Sequence, residues 1–491
     1  MSLFSAAIKG VAWSSASTIV RSIVSLLQVS ILTRFLDKTE FGIVAICTLF
    51  IGFSQIFMDL GFSIGIIHKQ DITPQQYSSL FWLNIFSGIL ITGILYMISP
   101  IIAEVYNTPS LTNILSLLSF SILFSSIGNQ HRTVQQKLMR FKYISVIEIL
   151  ASLLTLLVAI VLVTNGYGIY SLVYSTLFNI LFSNLLFFFI GIYKDRNISF
   201  HFILKDTYPF LKLGIFSVGA QVLDYLSREV DVILISVTLG KEILGAYSLC
   251  KKLVLSVYSA ITPILTKVLA PTFAYIQNDI SHVRKIYYDV IETISIINFP
   301  IYFLISIFSY GIINFLYGDN YTDSAMILSL LSIYYGYLST GSPVGSLQAA
   351  LGRTDTGFYW TIVRIVLNTL AIFIGSYFNN IEGIILSLFL VTLLSKPISW
   401  RITVKPLING HFIEYMMKSI KPLLMITVYS IPFYLFLGKV SSIIVIIVYS
   451  LVYMLVYGFV IDRLLPNSYC VNLMKVFIKK IYMIINCYQV K

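Results

Sequence analysis

Asp224, Arg228, Glu229 and Asp231 stand inside GAQVLDYLSREVDVILISVTLG (Gly219 to Gly240), a stretch otherwise apolar enough to cross a membrane. An ionised side chain at the centre of a bilayer helix is disfavoured by roughly 2.5–3.5 kcal/mol. Charges at this density must be paired or wet. On a helix, Ser217, Gln221, Asp224, Arg228 and Asp231 recur at intervals of three or four residues and form one stripe. Ser14, Ser17, Arg21, Ser25 and Gln28 form a matching stripe near the N-terminus, with Arg21 at its centre. Polar stripes of this length cannot face lipid, and a water-filled cavity is expected to receive both. Arg21, Gln28, Gln221, Asp224, Arg228 and Asp231 are therefore candidate binding residues. The plainer reading of Asp224 and Arg228 is an i,i+4 ion pair that satisfies itself.

Lys251, Lys252, Arg364 and Lys396 add embedded cations to the candidate set. Lys396 precedes Pro397 near a helix end, where a snorkelling position would also explain it. Embedded cations outnumber carboxylates, which suits an anionic ligand, and guanidinium groups match phosphate oxygens with bidentate hydrogen bonds. Two carboxylates are placed to bind a coupling ion or proton. Asp59 ends a helix ahead of Gly61 and Gly65, and Glu148 follows a basic loop whose Arg140 or Lys142 is its alternative ion-pair partner. Glu229 lies off the stripe, with Lys241 as a candidate partner. His68, His131, His201, His282 and His411 fall at expected loops with no metal-ligand spacing. Glycine-rich phosphate loops and zinc motifs are missing from the sequence, so no catalytic set, metal or cofactor is expected.

The elements that must position these residues are membrane helices. The 491 residues are 57% hydrophobic and 11% charged, with a mean hydropathy of +0.88, far from the composition of a soluble domain. Apolar runs of about 20 residues, enough to span a hydrocarbon core, centre near Ile23, Phe53, Ile91, Phe120, Thr155, Ile180, Leu223, Val257, Ile301, Ser332, Leu367, Phe389, Thr427 and Val448. The expected fold is thus all-α and polytopic, with about fourteen transmembrane helices. Met1 to Lys9 is a short amphipathic start without a small-residue cleavage site, so the first apolar run reads as a retained helix. The +12 net charge does not point to nucleic acid, because Lys and Arg cluster in alternate loops as the positive-inside rule requires. Lys69, the Arg132–Lys142 group, Lys194–Lys205, Arg284–Lys285, Arg353 and Arg401–Lys421 mark the cytoplasmic side; the other side holds few, Arg34 and Lys38 offset by Asp37 and Glu40, Lys241 beside Glu242, and Lys439. Both termini are then cytoplasmic, in agreement with Arg463, Lys475, Lys479 and Lys480. Cys47, Cys250, Cys470 and Cys487 show no paired spacing, and no disulfide is expected.

The chain also matches itself. LSLLS at Leu115 recurs at Leu328, and at the same offset Ser126, Gly128, Gln135, Leu138 and Arg140 fall on Ser339, Gly341, Gln348, Leu351 and Arg353. At slightly smaller offsets Gly10 falls on Gly214, and the KTEFG ending at Gly42 on the KEILG ending at Gly245. Two parallel six-helix bundles are expected, 1–193 and 208–403, joined by a cytoplasmic linker at 194–207. Two additional helices (404–461) and a basic cytoplasmic tail (462–491) follow. Transporters built from such repeats bind substrate near the midplane at the repeat interface.

ILTRFLDKTEFGIVAI (Ile31 to Ile46), DLGFSIGIIHK (Asp59 to Lys69), QQKLMRFKYISVIEI (Gln135 to Ile149), GYGIYSLV (Gly166 to Val173) and REVDVILISVTLGKEILGAYSL (Arg228 to Leu249) resemble the polysaccharide transporter family. That family sits in the multidrug/oligosaccharidyl-lipid/polysaccharide (MOP) flippase superfamily and includes bacterial O-antigen and capsule-unit flippases. The likeness covers at least the first 350 residues and implies a MATE-like pair of six-helix bundles around a V-shaped cleft, plus two C-terminal helices. It also implies a bacterial inner-membrane flippase that moves an undecaprenyl-diphosphate-linked oligosaccharide by alternating access, beside glycosyltransferases and a polymerase. Arg228 and Asp231 fall on polar positions of the family pattern. Cys250, Lys251 and Lys252 depart from its usual Ala-Tyr-Arg-like run. A drug/cation antiporter of the same superfamily would require a cavity dominated by carboxylates, and a membrane enzyme of polysaccharide assembly would require a sizeable outer loop.

Overall fold

The computed structural model describes residues 3–69, 71–195, 200–378, 380–437, 440 and 442–466. Every regular element among them is helical. In order they are α1 (Leu3–Leu32), α2 (Lys38–Asp59), α3 (Phe62–His68), α4 (Pro74–Val105), α5 (Ser110–Lys137), α6 (Phe141–Thr164), α7 (Tyr170–Asp195), α8 (Leu204–Thr238), α9 (Gly240–Tyr275) and α10 (Ile280–Ile307). Then come α11 (Ser309–Tyr317), a 3-10 turn (Asp319–Ser324), α12 (Ala325–Ser339), α13 (Pro343–Ala350), α14 (Asp355–Ser376) and α15 (Ile381–Leu394). The last are α16 (Lys396–Ser399), a π-helical turn (Trp400–Val404), α17 (Lys405–Ile408), α18 (Phe412–Leu437) and α19 (Ile443–Leu464).

Local sequence explains where several of these begin and end. Asp37 caps α2 by accepting from the Glu40 amide, and the Glu40 carboxylate accepts from the Asp37 amide in return. Thr73 and Gln76 repeat the device at α4, with Pro74 in the first turn, where its missing N–H costs nothing. α2 stops at Asp59 because Leu60 and Gly61 both turn left-handed, with φ of 48° and 73°. Gly61 is also pressed against α8, where a Cβ would lie 2.5 Å from the Cα of Gly214, so this break requires glycine.

Ten helices among the described residues are long and apolar enough to cross a membrane. They become eleven if α15 and the segment Lys396–Ile408, bent 45° from it, form one span. The chain is a multi-pass membrane protein. The expected count of fourteen is higher because it includes α8, interrupted by Asp224, Arg228, Glu229 and Asp231, α9, and α12, which ends after 15 residues. Part of the expected linker (196–199), Lys439 and the tail from 467 lie outside the described residues.

The chain forms two compact units, one of Met1–Leu249 with Thr361–Ile381, the other of Cys250–Trp360 with Glu382–Lys491. In the first unit α5 packs against α4 and α7, α6 against α1 and α7, and α2 against α5 and α8. Without a hydrophobic driving force in lipid, such helices associate through close backbone packing at small residues. Gly42 of α2 and Gly245 at the start of α9 show this reciprocally. A Cβ on Gly42 would strike the Lys241 carbonyl, and one on Gly245 the Lys38 carbonyl.

In the second unit α10 packs against α12 and α18, around an aromatic cluster that includes Phe299, Phe303, Tyr337, Tyr453 and Tyr457. Lys418 of α18 reaches the α10 carboxylates of Glu292 (3.2 Å) and Asp289 (3.6 Å).

Candidate functional site

A polar cavity of about 430 Å³ opens in the first unit. Its walls come from five membrane-spanning helices and from α3 and α8, and they are mostly amides and hydroxyls: Gln55, Ser63, Ser125, Asn129, Asn179, Ser183, Asn184 and Gln221. Four charged side chains join them, Arg21, Asp59, Arg132 and Glu148.

Three of those charges form one cluster. The Glu148 carboxylate on α6 accepts from Arg21 Nη1 of α1 at 2.6 Å through Oε2. Its Oε1 accepts from Arg132 of α5, from Nη2 at 2.8 Å and Nε at 3.1 Å. Glu148 is 15% exposed, while Arg21 and Arg132 are 47% and 42% exposed. The carboxylate is thus held from two sides by guanidinium groups that remain open to the cavity. The expected partners of Glu148, Arg140 and Lys142, are elsewhere. Arg140 donates to Gln135 Oε1, and Lys142 stands over the Trp13 ring. The helix rise of 1.5 Å per residue explains the difference: Glu148 lies two turns inside α6, beyond the reach of the loop but level with α1.

Arg132 corrects the sequence reading, which placed it in a cytoplasmic loop. α5 runs on to Lys137 and carries Arg132 into the cavity wall. The same continuation buries His131, expected at a solvated loop, against Phe81, Phe188 and Gly191. One signal in the sequence could have found Arg132: it stands three residues after Asn129, on the same helical face.

Asp59 lies at the α2–α3 break on the same cavity. Its carboxylate accepts from Ser63 Oγ (2.6 Å), the Ser63 amide (3.4 Å) and Asn129 Nδ2 (2.8 Å), all neutral donors. Gln221 lines the cavity from α8, where its side-chain amide donates to Ser217 Oγ.

One turn beyond Gln221, a second cluster has the same composition. Asp224 Oδ2 is 3.1 Å from Arg228 Nε, and its Oδ1 is 3.8 Å from Arg364 Nη2. Arg364 also donates to Ser227 Oγ at 2.7 Å. The i,i+4 pair is therefore present, with a further arginine from α14. Asp224 is thus placed against two arginines, as Glu148 is.

The remaining candidates are dispersed. Gln28 donates to Ser175 Oγ of α7 at 3.2 Å. Asp231 is buried and accepts from the Tyr247 hydroxyl and the Val232 amide. Lys241, considered as a partner for Glu229, donates to Thr108 Oγ1. In the second unit Lys251 is buried and Lys252 exposed. Lys396 is buried rather than snorkelling, since α16 begins at a bend that turns it inward. Its Nζ donates to Thr340 Oγ1 and lies 4.9 Å from the centre of the Tyr337 ring. Cys47 and Cys250 are free and buried.

Comparison with known proteins gives this arrangement its context. Residues 31–326, more than half of the chain, match the family model described as polysaccharide biosynthesis protein. The chain is 27% identical over 420 residues to the lipopolysaccharide biosynthesis protein WzxC of Escherichia coli, covering 85% of each. It is 29% identical over 365 residues to the teichuronic acid biosynthesis protein TuaB of Bacillus subtilis, covering 74% of this chain and 75% of the relative. Among solved structures it resembles the lipid II flippase MurJ in an inward closed conformation, with a TM-score of 0.73 at 14% identity over 92% of this chain and 98% of that one. An outward-facing multidrug resistance MATE family transporter of the MOP superfamily gives a TM-score of 0.55 at 13% identity, over 86% and 96% of the two chains. At these identities the structural likeness establishes a shared helical fold, and the sequence match goes further: the chain belongs to the polysaccharide biosynthesis protein family.

Proposed function

We propose that the protein is a flippase that carries an undecaprenyl-diphosphate-linked oligosaccharide across the bacterial inner membrane by alternating access, with both termini cytoplasmic. The observation that carries this reading is the pair of clusters in which two arginines share one carboxylate. In the first, among the described residues, the one carboxylate that Arg21 and Arg132 share is set against two guanidinium groups, and charge within membrane helices is costly. An anionic linker such as a diphosphate meets that charge, and guanidinium forks fit its oxygens. The amide and hydroxyl walls beside Arg21 and Arg132 suit sugar hydroxyls, since each amide both donates and accepts. The prenyl chain stays in lipid. The names of WzxC, a lipopolysaccharide biosynthesis protein, TuaB, a teichuronic acid biosynthesis protein, and MurJ, a lipid II flippase, support a glycan or lipid-linked glycan as cargo.

We propose further that α8, α9 and the broken pair α12–α13 also span the membrane. They would raise the count to fourteen and complete two six-helix halves, 1–193 and 208–403, followed by the helices of 404–461. Arg21, Gln221, Asp224, Arg228 and Arg364, with Arg132 added, are the substrate residues in this reading. Asp59 is its coupling candidate. A cation antiporter of the same superfamily is less favoured, because both cavity carboxylates are engaged, Glu148 by two arginines and Asp59 by Ser63 and Asn129.

The test is restoration of surface polysaccharide in a strain lacking its own unit flippase, with Arg21→Ala, Arg132→Ala and Arg228→Ala compared at equal membrane expression. Loss of restoration in all three is expected. Full activity in all three would overturn the reading of the clusters as substrate sites.

A further inference from the structure

Resting on that reading, we propose that Glu148 is a built-in stand-in for the substrate's anionic group. It would hold the Arg21–Arg132 fork while the site is empty and yield it when an oxyanion arrives. The geometry points this way. A ligand phosphate seated between two guanidinium groups would accept from each through a different oxygen, and the Glu148 carboxylate does so now. Oε2 takes Arg21 Nη1, and Oε1 takes both Nη2 and Nε of Arg132. The Glu148 side chain is mostly buried, whereas both arginines keep over two-fifths of their side-chain surface open. An incoming anion would therefore meet the guanidinium groups first.

The same cavity supports this assignment by contrast. Asp59, its other carboxylate, is held only by Ser63 and Asn129 and makes no ion pair among the described residues. The cavity's two carboxylates are thus held in different ways. The protein commits one, at the point where the arginines converge. Glu148 and an incoming anion are like charges that disfavour each other at that point, so binding displaces Glu148, and its return favours release of the cargo. A stand-in of this kind lowers affinity for an anion in favour of turnover. The oxyanion could be the diphosphate linker or the carboxylate of an acidic sugar, and both would compete with Glu148 in the same way.

The test uses the purified full chain in detergent, titrated calorimetrically with farnesyl diphosphate and separately with glucuronic acid. Removing the competing charge with Glu148→Gln is expected to tighten binding of the matching probe about tenfold or more, in line with the worth of charge-assisted hydrogen bonds. The same variant should lower restoration of surface polysaccharide, because release slows. Tighter binding with poorer transport is a combination that a merely structural role would not produce. The probe that responds identifies the source of the oxyanion. Glu148→Asp, one methylene shorter, cannot reach both arginines and should tighten binding by a smaller factor. It carries the test if the glutamine variant does not fold. If Glu148→Gln and Glu148→Asp bind no tighter while Arg21→Ala and Arg132→Ala lose binding, the stand-in role is refuted and the flippase site stands. If none of the four variants changes the affinity for either probe, both readings fall.

Discussion

The Arg21–Glu148–Arg132 cluster makes a stability prediction that does not depend on any ligand. At an effective dielectric constant near 20, unit charges about 4 Å apart attract by about 4 kcal/mol. The exposure of Arg21 and Arg132, 47% and 42%, reduces what each contributes alone to about 1 kcal/mol. Arg21→Ala leaves Glu148 held by the two Arg132 contacts, and Arg132→Ala leaves it held by Arg21 at 2.6 Å. Each single variant should therefore lose only about 1 kcal/mol. The double variant strands a carboxylate that is 15% exposed, and an uncompensated buried charge costs about 3–5 kcal/mol. The double loss should exceed the sum of the singles by at least about 1 kcal/mol, well outside the additivity expected of independent sites. Adding Glu148→Gln to the double variant should recover most of the loss, because the stranded charge is gone. Reversible unfolding in mixed detergent micelles, followed by tryptophan fluorescence, measures all of these. Losses that add to within about 0.5 kcal/mol, or a triple variant no more stable than the double, would refute the shared-carboxylate account.

Other parts of the structure can be checked in the same way. Gly42→Ala or Gly245→Ala puts a Cβ onto a backbone carbonyl of the facing helix, and overpacking of this kind should cost about 1–3 kcal/mol; unchanged unfolding would show that α2 and α9 do not approach so closely. Lys418→Met removes the partner of Glu292, whose side chain is 10% exposed. The variant should be destabilised by about 3 kcal/mol, and adding Glu292→Gln should restore part of that. Asp59→Asn turns an acceptor held by three donors into a group that also donates, facing Asn129 Nδ2. It should cost about 1 kcal/mol and, if Asp59 carries the coupling ion, abolish transport without weakening farnesyl diphosphate binding in calorimetry.

The helices were readable from sequence because the bilayer permits little else: backbone groups at membrane depth must be satisfied within a helix or a closed barrel. Each expected span centre falls inside a helix, from Ile23 in α1 to Val448 in α19. Hydropathy does not mark where helices break; Gly61 and Pro397 did mark the ends at Asp59 and near Lys396, but not how the chain turns there. α3 is separated from α2 by two left-handed residues, and α16 and α17 flank a π-helical turn that starts four residues after Lys396. Both are backbone events inside apolar sequence. Their consequence reached the site readings, since the bend at Ser395 turned Lys396 inward toward Thr340 and Tyr337.

The candidate site was legible in kind but only within one helix in pairing. Arg21, Asp224 and Arg228 stood out because a membrane helix rarely tolerates them, and each does join a charge cluster. Arg132 did not stand out, because a run of mostly polar residues from Asn129 to Lys137 reads as a loop when it is the end of a long helix. The Asp224–Arg228 pair was readable from its i,i+4 spacing, but which carboxylate meets which arginine across helices was not. The Arg21 and Glu148 positions are far apart in the chain and meet only because α1 packs along α6. That packing changes the argument about the ligand. From composition, an excess of cations implied an open basic surface waiting for an anion. The structure instead gives arginines that already hold an anion of the protein's own. A transporter needs this more than it needs a vacant basic surface, because a vacant fork would bind a diphosphate tightly and release it slowly. An internal carboxylate keeps the folded empty state stable and makes binding an exchange, so the affinity it sacrifices is the affinity that would have held the cargo in place.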